Sequence, residues 1–164
     1  MPTISNAIDR CYSTGLVSGT GTNPTYLYGL IGYLDYTYLP SPTISKCLWD
    51  TTTSGKTSSY GGMGYTTEEM QEKFRYELWN SWDFTTVWAI CEGTNYPRLR
   101  WQIHKSDILC PDGVGFDEAL FIVTRWLAGN CENTHDCDGA DISGNGLVDL
   151  ADFSVLAAEW LSAN

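Results

Sequence analysis

From residue 1 to about 65, hydrophobic positions occur singly or in pairs, alternate with Thr, Ser and Tyr, and are broken repeatedly by Gly and Pro. Alternation of this kind with frequent breakers predicts short strands joined by tight turns, and no helical period is present. Thr66-x-x-Glu69 then forms a capping-box signature ahead of Met70 and Phe74, and predicts a short helix to about Tyr76. Beyond it, Trp82-Asp83-Phe84, Val87-Trp88-Ala89-Ile90 and Leu99-Arg100-Trp101 predict strands, with Glu92-Gly93-Thr94-Asn95 as a turn. The polar stretch His104 to Ile108 is where the pattern becomes helical, which places a domain boundary near residue 105. Two apolar runs follow, Ala119 to Leu127 and Leu150 to Leu161, and in the second Leu150, Phe153, Leu156 and Trp160 are predicted to share one face. The pattern therefore predicts an α+β chain, β-rich over 1–104 and all-α over 105–164.

Composition narrows the possible partners. The net charge is −11, from 20 acidic and 9 basic residues, so the average surface repels phosphate and anionic lipid; nucleic acid is excluded as an expected partner and divalent cations are favoured. No run approaches the roughly 18 apolar residues of a membrane helix. Six cysteines, Cys11, Cys47, Cys91, Cys110, Cys131 and Cys137, point to an oxidising, extracellular compartment. Three lie early and three late, so full oxidation requires a bond between the two sets or to another molecule. The start, MPTISNAIDR, lacks a basic region followed by an apolar core, so no signal peptide is read there, and the sequence is expected to be a processed part of a longer precursor.

A weak internal repeat runs through the β-rich part. Thr3-Ile4-Ser5-Asn6 followed by Cys11-Tyr12-Ser13 is echoed by Thr43-Ile44-Ser45-Lys46-Cys47-Leu48-Trp49, with Ala7 to Arg10 read as about four extra residues in the first copy. Between the copies, Gly29-Leu30-Ile31-Gly32 brackets an apolar pair with glycines that permit close approach or sharp turning. These segments, with Gly61-Gly62-Met63-Gly64 and Tyr96-Pro97-Arg98-Leu99, resemble the GLUG-motif repeats of secreted bacterial surface proteins over residues 3 to about 102. That resemblance implies a β-solenoid-like architecture with one short helix added, and adhesion or surface display as the role.

The helical part contains one specific motif. Asp141-Ile142-Ser143-Gly144-Asn145-Gly146-Leu147-Val148-Asp149-Leu150-Ala151-Asp152 puts oxygen-bearing side chains at loop positions 1, 3, 5, 9 and 12 with Gly at 6, the spacing of a calcium loop. Asp141, Ser143, Asn145 and Asp152 are the predicted side-chain ligands, Leu147 gives its carbonyl, Asp149 acts directly or through water, and Val148 should pair the loop with its neighbour. An upstream segment, Asp112-Gly113-Val114 to Glu118, precedes a helix ending in Trp126-Leu127, as Trp160-Leu161 ends the second. Such tandem loop-helix units resemble a dockerin module over about residues 107 to 162, which implies a calcium ion in each unit and docking to a cohesin-like scaffold. The first unit departs from the pattern. Leu109-Cys110-Pro111 occupy its early ligand positions and the loop reads one residue short, so only a weak second site at Asp112 and Glu118 is predicted, with Cys110 bonded to Cys131 or Cys137 in place of the metal. Leu150-Ala151 stand where dockerins carry recognition hydroxyls, leaving an apolar contact patch.

No chemistry of catalysis is legible. His104 and His135 stand in no metalloprotease arrangement, no nucleophile elbow or phosphate loop occurs, and the neighbours Glu68-Glu69 and Asp117-Glu118 do not face each other across a substrate as glycosidase acids must. Cys131, His135 and Cys137 lack the zinc spacing, and disulfide formation accounts for the cysteines more simply. The expected function is a secreted, non-enzymatic, calcium-stabilised structural or adhesive protein that self-assembles into an extracellular filament. Tethering of a larger protein and polysaccharide binding through Trp and Tyr are the alternatives.

Overall fold

The computed structural model describes residues 7–20, 26–34 and 43–162, and the chain is mixed α and β. It divides into two units, residues 1–85 with 92–96 and residues 86–91 with 97–164.

In the first unit, strand β1 (Ala7–Asp9) pairs in parallel with β3 (Thr43–Ser45), and β2 (Tyr12–Ser13) pairs in parallel with β4 (Leu48–Asp50), whose other side carries β5 (Met63–Tyr65). Ile8 lies opposite Ile44 and Tyr12 opposite Leu48, so Ala7 to Ser13 runs residue for residue beside Thr43 to Trp49. Between the strands Arg10 and Lys46 both turn through the left-handed region, at φ 52° and 56°. This register corrects the repeat. Ala7 to Arg10 is no insertion but the first copy's own strand and corner, and Thr3-Ile4-Ser5-Asn6 lies outside the described residues. The expected solenoid is also not built: among the described residues the sheets have two or three strands and close no barrel.

Among the described residues, Cys47, Leu48, Trp49, Met70, Tyr76, Trp82 and Phe84 are the buried hydrophobic residues of this unit. The Trp49 ring rests on bare backbone, since a Cβ built on Gly29 would stand 1.9 Å from Trp49 Cε3 and one on Gly64 2.7 Å from Cζ2. Asp50, fully buried, organises the next turns. Its Oδ1 accepts the N–H groups of Thr52 (2.7 Å) and Thr53 (2.9 Å), capping helix α1 (Thr51–Ser54), while Oδ2 accepts the hydroxyls of Thr67 (2.8 Å) and Tyr96 (2.6 Å). Burial pushes this carboxyl up, but the Tyr96 hydroxyl and the other donors outweigh it and hold Asp50 below the usual carboxylate range.

The Thr66–Glu69 capping box forms, but the predicted single helix is two: α2 (Thr67–Met70) and α3 (Lys73–Asn80). Glu72, extended at ψ 115°, interrupts them, and Arg75 closes the gap by reaching Glu72 (2.9 Å) and Glu69 (3.0 Å). Trp82-Asp83-Phe84 is not a strand. After the left-handed cap at Ser81, Trp82 and Phe84 both turn inward onto Tyr76, with ring centroids 5.0 and 6.0 Å away, so burial of aromatic surface decides the path where no ladder is available.

In the second unit, β6 (Trp88–Ala89) pairs antiparallel with β7 (Arg98–Leu99), and a 3-10 turn over Arg100–Gln102 replaces the predicted continuation to Trp101. Helix α4 spans Phe116–Thr124, α5 (His135–Asp138) is one turn with positive φ throughout, and α6 spans Leu150–Ser162. Trp126-Leu127 and Trp160-Leu161 are not matching helix ends: the first pair follows α4, with Leu127 at φ 67°, whereas the second lies inside α6. The core gathers Val114, Ala119, Ile122, Cys131, Cys137, Ala140, Ile142, Val148 and Leu156, with Val155 and Trp160 packed against it. Leu150 and Phe153 do not share that face, being 73% and 40% exposed. Asp152 turns into the loop one helical turn before Leu156, and this fixes the rotation of α6.

Disulfides join Cys91 to Cys110 and Cys131 to Cys137, so the early and late cysteine sets are linked as expected. The predicted bond from Cys110 to Cys131 or Cys137 is not made, because those two close a short ring of their own. Among the described residues, no helix is long and apolar enough to cross a membrane.

Candidate metal centre

The loop from Asp141 to Asp152 folds around its own first residue. Asp141 Oδ1 accepts the N–H groups of Gly144 (2.8 Å) and Asn145 (3.1 Å) and the Ser143 hydroxyl (3.3 Å), and Oδ2 accepts the Gly146 N–H (2.8 Å). Gly144 and Gly146 are left-handed, at φ 74° and 86°, a conformation that side chains with a Cβ disfavour. Burial pushes the Asp141 carboxyl up, yet the N–H groups of Gly146, Asn145 and Gly144 prevail and hold it below its ordinary value.

Asp152 closes the other end. Its Oδ1 accepts the Ser143 N–H and its Oδ2 the Asp149 N–H, both at 2.8 Å, while Asp149 Oδ1 caps α6 by accepting the Ala151 N–H (2.7 Å). Asn145 Nδ2 approaches Asp149 to 3.4 Å, and Asn145 Oδ1 accepts the Leu147 N–H at 2.9 Å. Thus Asp141, Ser143, Asn145, Asp149 and Asp152 are all drawn into one hydrogen-bonded net. Its outer side borders a polar cavity of about 230 Å³ lined also by Asn130, Glu132 and Asp136. Val148 pairs, through its backbone, with the segment that follows α4. It accepts from Leu127 N–H and donates to the Ala128 carbonyl, both at 2.9 Å, and Gly129 bridges to Leu147.

Among the described residues, no three His, Cys, Asp or Glu side chains gather as a group that could hold a metal ion. The ligands expected from the sequence, three carboxylates, a hydroxyl, an amide oxygen and a carbonyl, are hard oxygens of the type calcium takes, but Asp141, Asp149 and Asp152 do not converge as such a group.

The upstream loop has a different construction. Glu118 is buried and its Oε2 accepts the Gly115 N–H (2.8 Å), which repeats the bond from Asp152 to Asp149. Asp107, absent from the predicted ligands, is the counterpart of Asp141. Its side chain is 1% exposed and its Oδ2 accepts the Gly113 N–H at 3.1 Å. Asp107-Ile108 to Val114 to Glu118 aligns with Asp141-Ile142 to Val148 to Asp152 without a gap, so the loop is not one residue short; the matching Asp-Ile was the signal. A cationic side chain stands beside it. Arg98 Nη1 lies 3.9 Å from Asp107 and donates to the Pro111 carbonyl at 3.1 Å. Burial, with the nearby charges of Glu118 and Asp112, still raises the Asp107 carboxyl above its ordinary value against the pull of the Gly113 N–H and Arg98.

The chain matches no family model, no curated protein and no solved structure.

Proposed function

We propose that the protein is a secreted, non-catalytic structural or adhesive component whose loop Asp141–Asp152 binds one Ca²⁺ and so stabilises the second unit. Support comes from one observation above all: five oxygen-bearing side chains spaced as calcium ligands are held in a single net that Asp141 and Asp152 close from opposite ends. Asp141, Ser143, Asn145 and Asp152 would hold the ion with the Leu147 carbonyl and Asp149, and the ion would supply the charge neutralisation that the acidic loop lacks. Asp107, Asp112 and Glu118 are assigned no strong ion, because Leu109 and Pro111 lack side-chain oxygens and Arg98 takes the cationic place. The two disulfides favour an extracellular setting.

The partner we assign is protein, in the first instance further copies of this chain, giving an extracellular filament or surface layer. Phe116, Leu120 and Val123, exposed at helical spacing along α4, and Leu150 on α6 also support the second reading, a dockerin-like tether to a cohesin-like scaffold. Polysaccharide binding would fall to exposed rings such as Trp79 and Trp101.

Calorimetric titration with Ca²⁺, followed by sedimentation with and without chelator, separates these readings. One tightly bound ion with a calcium-dependent rise in mass supports assembly. Binding without that rise supports tethering, and retention on insoluble polysaccharide supports the sugar reading. Absence of calcium binding rejects the metal centre.

A further inference from the structure

We propose that Cys11 and Cys47 form a third disulfide, an oxidation site that staples the two parallel copies of the repeat in the first unit. In the structure both are thiols, and the other four cysteines are paired with one another, which leaves each of these two with a single partner in the chain.

Their placement follows from the register. Asp9 stands opposite Ser45 and Tyr12 opposite Leu48, so the ladder sets Cys11 directly beside Cys47, and the Leu48 N–H donates to the Cys11 carbonyl at 3.0 Å. Neighbouring strands lie about 4.8 Å apart, inside the window of about 4.4–6.8 Å between Cα atoms that a disulfide takes. Both side chains point the same way: Cys11 Sγ approaches the Asp9 carbonyl at 3.4 Å and Cys47 Sγ the Ser45 carbonyl at 3.1 Å, each two residues back. The register thus sets the two side chains within reach of each other by side-chain rotation.

The chemistry has a natural order. Cys11 is exposed and Cys47 buried, and burial pushes the Cys47 thiol up, so Cys47 is the poorer first nucleophile. With a small disulfide such as oxidised glutathione as oxidant, the Cys11 thiolate attacks one sulfur and expels the first glutathione thiol, leaving a mixed disulfide on Cys11. Cys47 loses its proton and attacks Cys11 Sγ, and the second glutathione leaves. Two protein thiols are oxidised, one glutathione disulfide is reduced, and two protons pass to the leaving thiolates.

The test is a thiol map of the full chain after equilibration with oxidised glutathione, by denaturation, alkylation, tryptic digestion and mass spectrometry. Cleavage after Arg10, Lys46 and Lys56 isolates Cys11 on residues 11–46 and Cys47 on residues 47–56. The expected result is that neither cysteine carries an alkyl group and that the two peptides travel as one mass, which reductant separates. Alkyl groups on Cys11 and Cys47 after oxidation would overturn the proposal, as would either peptide linked to a different cysteine or retained as a stable glutathione adduct.

Discussion

At the scale of single residues, buried carboxylates carry much of the order. Asp50 takes four hydrogen bonds inside the first unit, and hydrogen bonds to a charged group contribute about 1.5–3 kcal/mol each before losses are shared. Asp50→Ala should therefore lower the unfolding free energy by about 3 kcal/mol, and Tyr96→Phe, which removes one donor, by about 1 kcal/mol; denaturant titration measures both. The carboxylates also set a pH dependence of mixed sign. Asp50 and Asp141 are held below the ordinary value of 3.8, so their contribution is complete above that pH and is lost as pH falls through their lower folded values. Asp107, raised above 3.8, protonates earlier, which relieves its repulsion with Glu118 and Asp112. Glu159, which burial pushes up but the Ser106 hydroxyl and N–H hold below its ordinary value of 4.5, begins to lose its contribution sooner. Thermal melts in a descending pH series should therefore be held up by Asp107 at first, fall below about pH 4.5 and fall more steeply below about pH 3.8 as Asp50 and Asp141 follow. Sequence spacing alone singled out Asp141, Ser143, Asn145, Asp149 and Asp152 because loop chemistry is local. Asp50 was not legible, since its Tyr96 partner is distant in the chain and only the fold brings them together. Asp107 was legible in principle, but Leu109 and Pro111 masked the equal length of the two loops.

At the scale of elements, glycine sites decide which turns and seats exist. Gly29→Ala forces a methyl group into the Trp49 ring, and overpacking of this kind costs about 1–3 kcal/mol, toward the upper end where the neighbour is a buried indole; a fall in denaturation midpoint with native-like circular dichroism is expected. Gly146→Ala meets no clash but must hold φ 86°, which costs an L-residue about 1–2 kcal/mol. Calcium affinity should drop roughly five- to thirty-fold by that amount, and an unchanged calorimetric affinity would show that the loop gains nothing from its left-handed turn. The start of α2 and its capping box were readable because Thr66 and Glu69 act on their immediate neighbours. The extent of α3, the loss of a strand at Trp82 to Phe84 and the rotation of α6 were not, since each is settled by what packs beneath it. Parallel pairing of β1 with β3 and β2 with β4 was foreshadowed by the repeat, although its true register only emerged once the corners at Arg10 and Lys46 were seen to coincide.

At the scale of the whole molecule, two units of different composition follow different stabilising rules. The first relies on aromatic burial and the Asp50 net; the second is drawn together by two disulfides and an acidic loop. An ion that binds only the folded loop adds about 2.7 kcal/mol at a free concentration one hundred times its dissociation constant. Calcium should accordingly raise the melting of the helical signal, which α4 and α6 dominate, and leave the melting of the first unit where it was. A readout for that second signal is already built in. Trp49, seated on the bare backbone of Gly29 and Gly64, and Trp82 are each only 3% exposed and both belong to the first unit, whereas Trp101 and Trp126 of the second are 78% and 40% exposed. The bluest, most acrylamide-resistant emission should therefore come from Trp49 and Trp82, with half-buried Trp88 and Trp160 of the second unit contributing an intermediate component, so that the extreme blue edge of one unmodified sample reports on the unfolding of the first unit without any added dye.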